Sequence, residues 1–123
     1  VYAAEKPEAF TQTIARRPLT RRSDAPMPYG DVPGLAKPVS RLVMGVDNQR
    51  WMPHAAAMFD DFFERGGNAF DTARIYGWGA QEKLLGQWIR NRGVRSEVAV
   101  IVKGAHTPLC TPEHLTRQLL ESL

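Results

Sequence analysis

The sequence predicts an α/β fold built on a parallel sheet, and three observations lead to that prediction. Short apolar runs alternate with segments of helical periodicity, in the order βαβαβα. These runs recur about every 27–30 residues, which is typical of parallel α/β folds. The third run, residues 98–103, is apolar up to its final lysine, as expected of a strand covered on both faces. The spacing alone does not distinguish a closed barrel from an open, doubly wound sheet.

The first helix is predicted over residues 54–65, between strands predicted at 42–45 and 68–71. Gly66 follows it as a residue that commonly ends helices. Its apolar face consists of Ala55, Met58, Phe59, Phe62 and Phe63. Its outward face is predicted to hold Asp60, Asp61 and Glu64.

The second and third helices also carry local end signals. The second is predicted from about residue 79 to residue 92, with Gly93 closing it. Gly86 lies inside this helix, where we expect close packing against the sheet to require a glycine. Thr111 is predicted to cap the third helix, with Pro112 at its first position.

The first 35 residues differ in composition from the rest of the chain. Six of the nine prolines precede residue 40, so we interpret residues 1–35 as an irregular linker or the tail of a preceding domain. Residues 5–17 are predicted to form a short helix within it. The predicted domain of alternating strands and helices then covers residues 36–123.

The net positive charge lies in the first 41 residues of the chain. The chain has a net charge of +3; residues 1–41 hold seven Lys/Arg and four Asp/Glu, and residues 42–123 hold nine of each. The basic cluster Arg16-Arg17 with Arg21-Arg22 could contact nucleic acid, but no aromatic residues are interleaved with it to stack on bases. We favour a solvated linker and predict no nucleic-acid partner.

Cysteine and hydropathy patterns indicate a cytoplasmic protein. Cys110 is the one cysteine, so no internal disulfide can form, which fits a reducing compartment. No apolar run reaches the roughly 18 residues that a membrane span needs, and no signal peptide opens the sequence. We therefore predict no membrane association.

Three side chains fall at or just beyond the predicted carboxyl ends of strands, where α/β folds collect their catalytic groups. They are Asp71, Tyr76 and Lys103. A phenol beside an ammonium group can donate a proton near neutral pH, and a carboxylate can hold that ammonium in place. Each residue taken singly also has an ordinary interpretation, as a turn residue, a packing residue or a solvated lysine.

The sequence around these residues resembles the signature of the aldo-keto reductases. The resemblance is carried by residues 66–86, GGNAFDTARIYGWGAQEKLLG, by residues 39–45, VSRLVMG, and by the strand that ends in Lys103-Gly104. It extends from about residue 36 to residue 123. It implies that the fold is the first three βα units of a TIM (β/α)8 barrel.

The resemblance also implies an activity and the roles of residues. The activity would be reduction of an aldehyde or ketone to an alcohol with NADP(H). Tyr76 would be the proton donor, Lys103 would lower its pKa, and Asp71 would pair with the lysine. Gly45, Val46 and Asp71 would lie near the nicotinamide end of the cofactor. The family's fourth catalytic residue, a histidine, would follow the next strand of the barrel.

A complete barrel of this type needs about 250 residues, so the 123 residues correspond to roughly half of one. We expect the chain to be part of a longer product and, by itself, neither to reduce carbonyls nor to fold as a stable monomer. The missing strands would leave side chains of the barrel interior uncovered. We expect these to be Val43, Phe70, Val100 and Val102.

Alternatives to an enzyme remain open from the sequence. The chain could belong to a non-catalytic binding or regulatory subunit of the same family, or to an accessory segment without activity.

Gly77-Trp78-Gly79 precedes a helix but lacks the spacing of a phosphate-binding loop. The histidines have no carboxylate or cysteine at ligand spacing, so we predict no metal site, and Cys110 is predicted to be inert.

Overall fold

The structure is a computed structural model and describes residues 18–123. The short helix predicted over residues 5–17 lies outside the described residues. The elements are, in chain order, β1 (Tyr29–Gly30), β2 (Val39–Ser40), β3 (Val43–Gly45), α1 (Met52–Glu64), β4 (Ala69–Ala73), α2 (Ala80–Arg92), β5 (Ala99–Lys103) and α3 (Pro112–Ser122). Within residues 18–123, no helix is both long enough and apolar enough to cross a membrane.

The main sheet is parallel and has the strand order β3-β4-β5. Each strand is followed by a helix, so the α/β class and the predicted βαβαβα order are confirmed. In a (β/α)8 barrel the strands are parallel and neighbouring strands follow one another in the chain, as these three do. Three strands are too few to close, so the barrel itself stays a prediction.

The two faces of the sheet differ in what covers them. Met44, Phe70 and Val100 lie side by side in the register and pack with the helices. On the opposite face, Val43 and Ile101 are 45% and 44% exposed. The uncovered face is therefore the one that a complete barrel would enclose.

We expected four side chains in the barrel interior, and the prediction was wrong for three of them, which lie on the face covered by the helices. Val43 lies on the uncovered face as predicted. Phe70 is fully buried among the helices, Val100 packs beside it, and Val102 lines a small cavity between the sheet and α2. A strand that is apolar on both faces has no alternation from which the sequence could reveal the direction of each side chain.

An aromatic cluster forms the centre of the core between the sheet and the first two helices. The ring of Phe59 lies edge-on to Phe70 and to Trp88, with centroid distances of 5.4 Å in both pairs. Phe70 and Trp88 are 5.2 Å apart. Aromatic pairs at such distances and tilts add to the stabilisation that burial of their area provides.

The faces of α1 that we predicted from its periodicity were wrong for two residues. Asp60, predicted to face solvent, is only 5% exposed. Its carboxylate accepts hydrogen bonds from Trp88 Nε1 at 2.8 Å and from Arg92 Nε and Nη2 at 2.8 and 2.6 Å. Met58, predicted to face the core, is 42% exposed. Helix α2 packs along the side of α1 that carries Asp60, and its Trp and Arg side chains supply the partners that allow a carboxylate to be buried.

The segment before the main sheet contacts the end of α1 and the residues that precede β5. Strand β1 pairs with β2 in an antiparallel hairpin that spans residue 36, the predicted domain boundary. The hydroxyl of Tyr29 donates to the carbonyl of Gly66 at 2.5 Å, and Lys37 Nζ donates to the carbonyls of Ser96 and Val98, both at 2.8 Å. The described part of the predicted linker is thus packed against the sheet unit, and the position of a domain boundary stays a prediction.

A buried asparagine connects this hairpin to the strand that carries Asp71. The side-chain carbonyl of Asn68 accepts from the Ser40 amide at 2.8 Å. Its amide nitrogen donates to the carbonyls of Pro38 and Glu97 at 2.9 and 3.3 Å. Asn68 is 4% exposed, so these bonds fix the start of β4 and, with it, the register of the site.

Gly86 is not held in place by close packing, contrary to our expectation. A Cβ added there would meet only Arg90 Nη1, at 3.5 Å, which is ordinary contact with the end of a flexible side chain. We therefore expect Gly86→Ala to raise the free energy of unfolding by about 1 kcal/mol, because alanine loses less backbone entropy in a helix. Urea unfolding measures the change.

The matched control for this substitution is Gly93→Ala at the end of the same helix. Gly93 has φ 69°, in the left-handed region that disfavours a Cβ, so this variant should be less stable than the parent protein. A loss of stability in Gly86→Ala would show that the helix interior requires glycine after all.

Candidate active site

Asp71 and Lys103 lie on adjacent strands, near the carboxyl ends of β4 and β5. In the register, Asp71 lies opposite Ile101, and Lys103 lies two positions further on, opposite Ala73. Because side chains alternate along a strand, both residues belong to the face opposite Phe70. The sheet therefore brings the predicted acid and the predicted lysine to one edge of its uncovered face.

The two side chains form an ion pair. Lys103 Nζ donates a short hydrogen bond to Asp71 Oδ1. The side chains are 45% and 30% exposed, so small molecules in solution can reach the pair.

Protonation of Lys103 is favoured by its neighbours. Partial burial lowers the pKa of Lys103, but the bond to Asp71 and the nearby Tyr76 outweigh that effect and raise it above its usual value. A raised lysine pKa means that the pair stabilises the fold at every pH below the ordinary lysine value. That stabilisation is lost only as the pH rises through the higher folded value.

Tyr76 also lies close to the lysine. Lys103 Nζ is 5.1 Å from the centroid of the Tyr76 ring, within the range of a cation–π contact. The ring of Tyr76 is partly buried and packs against the hydrophobic core. The structure thus brings Asp71, Lys103 and Tyr76 together, with the ammonium group in contact with both the carboxylate and the aromatic ring.

A tight left-handed turn carries the chain from Tyr76 into α2. Gly77, Trp78 and Gly79 all have positive φ, at 48°, 55° and 89°. A Cβ at Gly77 would lie 2.3 Å from Gln81 Oε1, and one at Gly79 would lie 2.4 Å from Arg74 Nη1. Both glycines are therefore favoured by conformation, and a Cβ at either position would also displace the end of a flexible side chain. This explains the Gly-x-Gly spacing without a phosphate-binding role.

Gly45 and Val46 lie beside Asp71 at the end of β3. Gly45 is opposite Asp71 in the register, and the Val46 amide donates to the Asp71 carbonyl at 3.1 Å. A Cβ at Gly45 would meet nothing within 4 Å, so there is open space above this backbone next to the Asp71 carboxylate. The Val46 side chain is fully buried in the core, so only its backbone can face a ligand.

The residues fit the nicotinamide end of the cofactor, which has a flat ring and an adjoining ribose with hydroxyl groups. Gly45 leaves room for close approach, and Asp71 offers a partly exposed acceptor for hydroxyl groups. Sequence reasoning missed Gln81, whose Nε2 donates to the Asp47 carbonyl at 3.1 Å and fixes the loop after Gly45 to α2. Gln81 is only 6% exposed, and a glutamine at a helix start carries no signal in the sequence that would have revealed its burial or this bond.

The remaining candidates lie elsewhere. Cys110 is exposed, and its thiol donates to the Ala105 carbonyl at 2.7 Å within the loop that follows β5. His106 is exposed in the same loop, and His114 contacts the capping Thr111 at 2.9 Å. Among residues 18–123, no three His, Cys, Asp or Glu side chains are grouped as a metal site would require.

Comparison with known proteins identifies the family. The family model described as "Aldo/keto reductase family" matches residues 43–123, which include the whole parallel sheet and all three residues of the cluster. The chain belongs to the aldo/keto reductase family. The resemblance on which the sequence analysis relied is thereby confirmed.

Curated relatives of this aldo/keto reductase chain are oxidoreductases by name. Norsolorinic acid reductase stcV of Emericella nidulans is 45% identical over 49 residues, 40% of this chain and 13% of its own length. Uncharacterized oxidoreductase YrpG of Bacillus subtilis is 33% identical over 81 residues, which cover 60% and 25% of the two chains. Aryl-alcohol dehydrogenase [NADP(+)] of Phanerodontia chrysosporium is 29% identical over 82 residues, 58% and 21% of the two chains.

The chain therefore spans between about an eighth and a quarter of the length of these three relatives. The aldo/keto reductase match contains the three-stranded parallel sheet and the Asp71–Lys103–Tyr76 cluster. Family and relatives together place the chain in an oxidoreductase family.

Proposed function

We propose that the protein containing this chain reduces an aldehyde or ketone to the corresponding alcohol, with NADPH as the source of hydride. The observation that carries the proposal is the position of the Lys103 ammonium, bonded to Asp71 and 5.1 Å from the ring of Tyr76, at the carboxyl edge of the sheet. Reduction of a carbonyl requires a proton as well as a hydride, and this cluster is suited to deliver the proton.

Each residue of the cluster has one task in the proposed reaction. The Tyr76 hydroxyl donates a hydrogen bond to the carbonyl oxygen and transfers its proton as negative charge develops there. Lys103 stabilises the phenolate that Tyr76 leaves behind, since an ammonium close to an anion lowers its energy. Asp71 holds the ammonium in place through their hydrogen bond.

The cofactor supplies the hydride when bound, because no protein side chain can do so. Gly45, the Val46 backbone and Asp71 are the residues of this chain that would hold its nicotinamide end. The choice of NADP(H) draws support from the printed name of the Phanerodontia chrysosporium relative. A small-molecule carbonyl compound is the proposed substrate. A cytoplasmic location and a domain preceding residue 36 stay predictions.

The decisive experiment uses the full-length protein with NADPH and a reactive aldehyde. NADPH absorbance and the alcohol product are followed together, and NADPH binding is titrated separately by fluorescence. Formation of one alcohol per NADPH consumed would support the proposal. Tight NADPH binding without turnover across a panel of aldehydes and ketones would contradict it and favour the non-catalytic binding subunit.

A first variant tests the role of Lys103. We expect Lys103→Met to lower the turnover number about tenfold, because the loss of one neighbouring charge shifts a proton-transfer equilibrium by about that factor. NADPH affinity should change little. Lys83→Met, which alters an exposed lysine on α2, is the matched control and should behave as the parent protein does. Equal turnover in both variants would remove Lys103 from the mechanism.

A further inference from the structure

A small cavity lies between the covered face of the sheet and the helices α2 and α3. Its volume is about 100 Å³, and most of its lining is aliphatic. Three polar side chains also line it, one from each neighbouring element: Thr72 on β4, Glu82 on α2 and Ser122 on α3. Asp71 and Lys103 project from the other face of the sheet, so the cavity is separate from the candidate active site.

Thr72 is the residue of this cavity whose hydrogen bonding is incomplete. It is only 1% exposed, and its Oγ1 has no hydrogen-bond partner among residues 18–123. A hydroxyl group removed from water without a partner destabilises a fold, and valine has nearly the same shape without that cost. Buried polar groups in folded proteins nearly always have a partner, either a protein group or an ordered water molecule.

The other two polar side chains offer more acceptors than protons. The Ser122 hydroxyl lies 2.9 Å from Glu82 Oε1 and 3.0 Å from the Gln118 carbonyl oxygen, but it has a single proton to donate. An ionised carboxylate can also accept hydrogen bonds at both of its oxygens. A further donor would therefore complete the bonding here, and the Thr72 hydroxyl makes no direct bond to either side chain.

The charges around the cavity favour a neutral ligand over a cation. Arg74 Nη1 and Glu82 Oε2 both lie within 4 Å of the position that a Cβ of Gly79 would take, so the carboxylate has a guanidinium group nearby. Arg74 also forms a 3.1 Å ion pair with Glu121. Arg74 therefore supplies the positive charge that a bound cation would otherwise bring.

The size and polarity of the cavity fit water. A water molecule occupies about 30 Å³ in the liquid, so a cavity of about 100 Å³ accommodates at least one. A cavity whose lining is wholly apolar stays dry, whereas a buried water molecule needs about two to four polar partners. Thr72, Glu82 and Ser122 supply these partners.

From these observations we infer that the cavity is a binding site for an ordered water molecule, which accepts a hydrogen bond from the Thr72 hydroxyl and donates one to the Glu82 carboxylate. This water links β4 to α2 and, through the bond between Glu82 and Ser122, to α3. Helix α3 has no buried residue, so polar bonds at its carboxyl end contribute to its attachment to the sheet unit. The inference does not depend on the proposed function.

The stability of Thr72→Val tests the inference, because a bound water and a dry cavity predict opposite signs. If water connects Thr72 to Glu82, the variant loses a hydrogen bond, and we expect its equilibrium constant for unfolding to rise about fivefold. In a dry cavity, valine would remove an unpaired hydroxyl, and the constant would fall. Urea unfolding of the full-length protein measures the change. Thr116→Val, at an exposed position of α3, is the matched control and should change the constant little.

A crystal structure of the full-length protein, at a resolution that shows ordered water, locates the ligand directly. We expect density for a water oxygen about 2.6–3.2 Å from Thr72 Oγ1 and from a carboxylate oxygen of Glu82. A cavity without density, or an ion with oxygen ligands at about 2.0–2.6 Å, as for a bound cation, would overturn the inference. An unfolding constant that falls or stays unchanged in Thr72→Val would overturn it too.

Discussion

Replacing Tyr76 with phenylalanine is expected to lower the rate of carbonyl reduction by at least about a hundredfold while leaving NADPH affinity nearly unchanged. The substitution removes one hydroxyl and keeps the ring, which packs against the core and lies 5.1 Å from Lys103 Nζ. The shape of the site is therefore preserved, and only the proton donor is lost. Steady-state turnover with an aldehyde and fluorescence titration with NADPH measure the two quantities.

Tyr29→Phe is the matched control for this prediction. It removes a hydroxyl that donates to the Gly66 carbonyl at 2.5 Å, near the end of α1 and away from the cluster. Its effect should be confined to stability, with turnover per folded molecule as in the parent. If Tyr76→Phe kept more than about a tenth of the parent turnover, the assignment of Tyr76 as proton donor would be wrong.

The second large effect is expected in the core, at Asp60. Asp60→Ala should lower the free energy of unfolding by about 3–5 kcal/mol, the cost of breaking a buried ion pair by removing one partner. The side chains of Arg92 and Asp60 are only 4% and 7% exposed, so the guanidinium loses its carboxylate without gaining water. Trp88 Nε1 loses the same acceptor. Chemical denaturation followed by circular dichroism measures the change.

The neighbouring residue provides the control. Asp61 forms a 2.8 Å ion pair with Arg65, but those side chains are 57% and 48% exposed, so Asp61→Ala should cost less than about 1 kcal/mol. A double variant, Asp60→Leu with Arg92→Met, should recover much of the stability, because apolar groups can replace a buried pair without loss. Equal losses for Asp60→Ala and Asp61→Ala would show that the Asp60 pair does not stabilise the fold.

Local chemistry in the sequence was enough to predict the three parallel strands, the three helices and their order, although not the β1–β2 hairpin that precedes them. Gly93 ends α2 with φ 69°, and the Thr111 hydroxyl accepts from the His114 amide at the start of α3, where Pro112 is the first residue. These signals act within a few residues of one another, so no tertiary contact is needed to recognise them. The predicted boundaries of the three helices and of the parallel strands agree with the structure to within two residues.

The composition of the site was also predictable, although its geometry was not. In a parallel sheet the carboxyl ends of all strands meet at one edge, so residues that follow different strands converge there. Asp71 and Lys103, 32 positions apart, are in contact for this reason. The signature around Tyr76 indicated the family, but it did not indicate that Gln81 bonds to the Asp47 carbonyl and Arg74 to Glu121, because those partners belong to other elements.

Only the tertiary structure decided which side chains face which layer. Apolar and polar residues do not alternate along these strands, so the sequence could not indicate that Phe70 is buried and Ile101 exposed. The position of the helices decided which face of the sheet is covered. Asp60 has the sequence context of a solvated residue and is buried because α2 brings Trp88 and Arg92 to it. Periodicity indicates the average polarity of a helix face. Burial of a single polar group depends instead on a hydrogen-bonding partner from another element. That partner is brought into place only when the chain has folded.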